Sequence, residues 1–226
     1  MNAIGLDFAE FVSFRWLPKM GMEGAIPRRV RWDDIQADFV IRRIADGIGQ
    51  DRGHLYDPHP ARGSRTYLMG AYIVLYPQSN MLAQVTNALA MYRERDDWDL
   101  PPSIDCEVAY TNAKPAVRWQ QIEDFSCAIE DGIGRSVGDY TRKDWWDKYT
   151  MHPHEAGWIS KRPLWLALAA NMRRDACPRD WWSWTIWQKL FNCHAQGVTG
   201  YVDVNEFSGS REELDAWSKK WLLTGG

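Results

Sequence analysis

The sequence predicts an α/β fold, an irregular single β/α barrel of about eight mostly parallel strands with few helices between the last strands. Three observations carry that prediction. Short apolar runs recur along the chain, longer polar stretches separate them, and acidic or amide side chains stand at the ends of several runs.

The apolar runs lie at residues 3–6, 39–44, 70–75, 102–106, 136–140, 164–169, 185–188 and 201–204. They are apolar on both faces, as strands are when helices cover them. Helices are expected at 80–93, 114–131, 142–149 and 212–222. Spacing between runs shrinks toward the end and leaves little room for helices there. No repeat, low-complexity tract or Pro/Gly/Ser linker divides the chain, so residues 1–226 read as one domain.

Composition narrows the function. Charged residues make up 25% and the formal net charge is −3, which gives nucleic acid or an anionic membrane no electrostatic hold. No apolar run approaches the roughly 20 residues that span a bilayer, so membrane insertion is not expected. The N-terminal stretch lacks a basic segment followed by an apolar one, and no secretory signal is expected. Cys106, Cys127, Cys177 and Cys193 form no CxxC pair and read as reduced thiols. The 14 tryptophans are an unusual number; most read as core, with a minority available to stack on the apolar faces of sugars. Trp181, Trp182, Trp217 and Trp221 are expected in packing or on the surface.

Acids carry the chemistry. Asp105 and Glu107 follow an apolar run and stand two residues apart, a spacing that turns both side chains to one face of a strand. Two carboxylates held close raise each other's proton affinity. One can then protonate a leaving oxygen while the other stabilises positive charge, the pair that glycoside hydrolysis uses. No histidine lies near in sequence to complete a metal-ligand set, so neither metal nor cofactor is expected. Asp7 and Asp203 are each isolated in apolar stretches, and either one taken singly reads as a structural acid that caps a turn or pairs with a basic residue.

The ordered motifs resemble glycoside hydrolase family 25, the Chalaropsis-type N-acetylmuramidases. They comprise Gly5-Leu6-Asp7, Asp38-Phe39-Val40-Ile41 with Ala45-Asp46-Gly47, Gly70-Ala71-Tyr72 with Gln84, and Leu100-Pro101-Pro102 through Asp105 and Glu107. Tyr140-Thr141, Leu164-Trp165-Leu166-Ala167, Trp184 through Gln188, and Val202 through Phe207 complete the set. The pattern departs at Ile73, where the family usually has His, and over 8–33, which looks longer than usual.

The resemblance implies roles. Glu107 would be the general acid, and Asp105 would stabilise developing charge or orient the substrate's N-acetyl group. Asp7 and Asp203 would complete the acidic cluster, Tyr72 and Tyr140 would flank the cleaved sugar, and Trp187 and Gln188 would line the floor. The implied function is a peptidoglycan muramidase, acting as a monomer on bacterial wall. The missing signal and wall-binding repeats fit a phage or prophage lysin, made in the cytoplasm and delivered by a holin-type route or in a particle. Two alternatives stand beside it: a catalytically silent glycan-binding barrel, and a hydrolase of another amino-sugar glycan such as chitin. Only the last D-x-E of the chitinase D-x-x-D-x-D-x-E pattern is matched.

Overall fold

The computed structural model describes residues 1–9, 30–51, 59–108, 115–150, 157–168 and 177–222. Among them are strands β1 (Ile4–Phe8), β2 (Phe39–Asp46), β3 (Gly49–Gln50), β4 (Leu68–Val74), β5 (Ser103–Asp105), β6 (Gly138–Thr141), β7 (Leu164–Ala167), β8 (Ile186–Cys193) and β9 (Val202–Phe207). The helices are α1 (Met81–Arg93), α2 (Pro115–Ile133), α3 (Lys143–Tyr149) and α4 (Arg211–Leu222). Each apolar run of the sequence became a strand. The short β3 was not foreseen; it is a two-residue, exposed return on β2 across a turn at Gly47, whose φ of 61° suits glycine.

Eight strands close into a barrel in the order β1-β9-β8-β7-β6-β5-β4-β2, with β1 pairing back to β2. Six of the neighbouring pairs are parallel. The two that β9 makes, with β1 and with β8, are antiparallel. A direct β8–β9 hairpin leaves no crossover helix between these strands, in line with the short spacing in the sequence.

Alternation along the strands builds two cores. Leu6, Val40, Ile44, Met69, Ala71, Ile73, Ile104, Cys106, Leu164 and Leu166 face the helices and pack with Ile122, Phe125 and Ile129 of α2. Ala3, Phe39, Ile41, Tyr140, Trp165, Ala167, Ile186 and Phe207 form the inner cluster. The interior is crowded, and a Cβ at Gly5 would collide with the Phe39 ring. Leu214 of α4 is fully buried in the inner cluster, and Trp217 packs on Phe207 with ring centres 5.5 Å apart. This helix therefore closes the barrel at the amino ends of its parallel strands. The mouth at the carboxyl ends stays open.

An ion cluster fastens the start of β4. The buried Arg65 guanidinium donates to Asp97 Oδ2 at 2.8 Å and to Asp99 Oδ2 at 2.6 Å. Asp99 Oδ2 also accepts the Met69 backbone N–H at 2.9 Å. At the other end of β4, the Gln84 amide of α1 bonds both Tyr76 N and Tyr76 O at 2.8 Å. Asn80 caps the same helix by accepting from Ala83 N.

Candidate active site

The open mouth holds a polar cavity of about 110 Å³ lined by Asp7, Tyr72, Asp105, Glu107, Tyr140, Trp165, Gln188 and Asp203. Asp7, Tyr72, Asp105 and Tyr140 come from strands that point their carboxyl ends at the mouth, the end where barrel sites form. Asp203 arrives differently. It stands near the start of β9, and only the antiparallel course of that strand sets it opposite Asp7 in the β1–β9 register.

Burial and hydrogen bonds sort the acids. Asp7 Oδ1 accepts from Gln188 Nε2 at 3.0 Å and from Asn205 Nδ2 at 2.7 Å. Gln188 Nε2 also donates to Asp203 Oδ2 at 3.0 Å, and Gln188 Oε1 accepts from the Tyr140 hydroxyl at 2.8 Å. One amide thus ties a tyrosine to two carboxylates. Asp105 is buried, and its Oδ1 has no hydrogen-bond partner among the described residues. Glu107 is more open, its side chain 37% exposed, with Arg142 Nε 3.9 Å from Oε2.

These surroundings hold protons in the site. Burial, then the charge of Asp203, lifts the Asp7 carboxyl to about 7, against the hydrogen bonds from Asn205 and Gln188. Burial first and then Glu107 push Asp105 well above the usual carboxylate range. Burial also raises Glu107, with Arg142 opposing and Asp203 and Asp144 adding. The sequence expectation put the held proton on Glu107 beside an ionised Asp105. The surroundings raise both carboxyls, Asp105 as well as Glu107. Tyr72 and Tyr140 are driven well above their ordinary value by burial and stay neutral donors.

Seven of the eight sequence candidates meet in this cavity. Trp187 does not line it. Because Gln188 turns inward, its neighbour in the strand turns outward, where the Trp187 indole donates to Leu168 O at 2.8 Å and leans on Trp184. Trp165 takes the expected place. Its ring lies edge-on to Tyr140 and Tyr72, with centres 4.7 and 5.8 Å away, and its Nε1 donates to Asn205 Oδ1 at 2.8 Å. Trp165 and Asn205 both sit inside the family-like motifs. Asn205, two residues after Asp203 on one strand, was detectable by the same i, i+2 logic that singled out Asp105 and Glu107. Arg142 carried no signal.

Of the other tryptophans, Trp181 is buried, Trp182 fully exposed and Trp217 half-buried; the Trp221 side chain and Trp16 lie outside the described residues. Cys106 faces the helix side, away from the cavity, as strand alternation requires.

Carboxylates gathered in the mouth of an irregular barrel can protonate a glycosidic oxygen and stabilise the charge that follows. The sequence model of glycosyl hydrolases family 25 matches residues 37–198, and the chain belongs to that family. Lysozyme M1 of Streptomyces globisporus is 31% identical over 127 residues, 53% of this chain and 42% of that protein. The uncharacterized protein YegX of Escherichia coli O157:H7 is 35% identical over 195 residues, 84% of this chain and 66% of that one. The chain therefore spans less than two thirds of the length of these relatives. The crystal structure of the bacterial lysozyme from Streptomyces coelicolor has the same fold, with a TM-score of 0.72 at 22% identity, over 97% of this chain and 98% of that one.

Proposed function

We propose that this chain is a peptidoglycan hydrolase, a muramidase that cleaves between N-acetylmuramic acid and N-acetylglucosamine by carboxylate acid catalysis. One observation carries the reading: Asp7, Asp105, Glu107 and Asp203 share one small cavity with two neutral tyrosines. Family membership and the likeness to lysozyme M1 support the substrate class.

Glu107 stands at the open side of the cavity with its proton affinity raised, and there it protonates the glycosidic oxygen. As the C–O bond breaks, positive charge grows on the sugar ring. Asp105 faces that charge, or the N-acetyl group poised to attack it, with an oxygen that no group among the described residues occupies. Asp7 and Asp203 extend the negative field, and their bonds to Gln188 and Asn205 fix their places. Tyr72, Tyr140 and Gln188 bound the bound sugar, and Trp165 forms the floor.

The chain works as one catalytic domain over residues 1–226, as a monomer and without a metal. Its setting in this proposal is that of a phage or prophage lysin, reaching the wall by a holin-type route or in a particle. Wall lysis by the chain expressed without any holin would overturn that setting.

Digestion of purified peptidoglycan tests the reaction. New reducing ends at muramic acid are the expected result, unchanged by a chelator. Release of chitin oligomers but no muramic ends would move the reading to another amino-sugar glycan. Wall binding without any cleavage would favour the silent barrel.

A further inference from the structure

The β8–β9 hairpin carries an irregularity with a direct line to the acid cluster. Gln188 pairs with Asn205, Leu190 with Val204 and Cys193 with Val202, so the ladder breaks twice and each break puts one extra residue into β8. The second break falls opposite Asp203. Among the described residues, Asn192, in that break, is the one non-glycine residue with a positive φ, 57°. Its side chain is exposed, and its backbone N–H leaves the ladder to donate to Asp203 Oδ1 at 2.7 Å. The other oxygen of Asp203, Oδ2, accepts from Gln188.

The geometry points to Asn192 as a positioning residue for the reaction, one whose left-handed backbone aims an N–H at Asp203 and holds that carboxylate toward Asp7 and the cavity. This inference rests on the reading of Asp203 as part of the acidic cluster. Asparagine and glycine enter the left-handed region readily, whereas a residue with an ordinary Cβ pays for it and a β-branched one pays more. A residue that relaxes to negative φ turns the N–H away. Asp203 Oδ1 then loses that hold, and its charge drifts from the place where the transition state needs it.

The test compares Asn192→Ala, Asn192→Val and Asn192→Gly with Glu107→Gln on soluble glycan fragments, reading kcat, KM and melting temperature. Asn192→Ala and Asn192→Val are expected to lose kcat by about tenfold, the scale of one hydrogen bond to a charged group. KM should stay near the parent value, melting temperature should fall only by the few degrees that the left-handed penalty costs, and Asn192→Gly, which supplies the same φ, should recover most of the turnover. Full kcat in Asn192→Ala and Asn192→Val beside an inactive Glu107→Gln overturns the role of Asn192 and leaves the function standing. Loss of kcat only in step with loss of melting temperature makes the residue structural and also overturns the inference. An active Glu107→Gln would sink the functional reading itself.

Discussion

The Trp165 indole decides which way the Asn205 amide faces: Trp165 Nε1 donates to Asn205 Oδ1 at 2.8 Å, which leaves Nδ2 to donate to Asp7 Oδ1 at 2.7 Å. A floor aromatic thereby orients a carboxylate through the amide between them. Trp165→Phe keeps a ring against Tyr72 and Tyr140 but removes the donor, so the amide can flip and present its oxygen to Asp7. Turnover should fall by about tenfold, the scale of a misplaced catalytic group. Steady-state kinetics beside a thermal melt would check it, and unchanged kcat would show that the amide needs no such orientation.

Glu107→Gln preserves shape and cannot give up a proton. It should fold normally and lose at least roughly 100-fold in turnover. Asp105→Asn should be comparably severe, because it removes the carboxyl that faces the sugar and changes the proton affinity of Glu107 beside it. Clearing of bacterial walls at near-parental rates by either variant would remove it from the chemistry.

The pH profile has a defined sign. Arg142, with Nε 3.9 Å from Glu107 Oε2, opposes the upward push of burial on that carboxyl. Arg142→Met should raise the proton affinity of Glu107 further, keep the acid protonated to higher pH and move the alkaline limb of kcat/KM upward. Asp144 acts in the other sense, so Asp144→Asn should move the same limb down. Limbs that do not move, or move together, would mean that another group sets the profile.

Asp139 offers a test outside the site. It is fully buried on β6, neither carboxyl oxygen has a hydrogen-bond partner among the described residues, and burial lifts it to about 7, with Arg162 opposing and Glu130 adding. The unfolded chain releases that proton near roughly 3.9. Between these values the folded state binds more protons, so this group makes stability fall as pH rises toward about 7, with the full cost above it. Asp139→Asn should therefore raise the melting temperature more at pH 8 than at pH 5. Asp7, also lifted to about 7, adds the same slope and is untouched by this change.

Arg65 bridges Asp97 and Asp99 from a side chain only 2% exposed. Arg65→Ala would leave two carboxylates without their shared cation at the start of β4. Breaking a buried pair in this way costs about 3–5 kcal/mol. Chemical denaturation should show a loss of that size; a change under about 1 kcal/mol would show that water or the neighbouring Arg62 and Arg95 replace it.

Local pattern carried much of this molecule. Apolar runs placed the eight barrel strands and helical spacing placed the four described helices, because burial on both sides of a parallel strand leaves a direct mark on composition. The i, i+2 spacing set Asp105 and Glu107 on one face and Cys106 on the other, since strand side chains alternate whatever the fold around them. Ordered motifs then brought in Asp7, Tyr72, Tyr140, Gln188 and Asp203. Tertiary structure decided the rest. Whether Trp187 or Trp165 meets the cavity depends on the phase of each strand against the barrel axis, and adjacent residues of β8 exchange roles if that phase shifts by one. The placing of Asp203 beside Asp7 needed β9 to run against its neighbours. The raised proton affinities of Asp105 and Glu107 depend on how deeply each is buried, a sum over many distant chain segments. The hold of Asn192 on Asp203 needed two extra residues in β8, which no periodicity in the sequence announces, because a bulge is fixed by the partner strand it must meet.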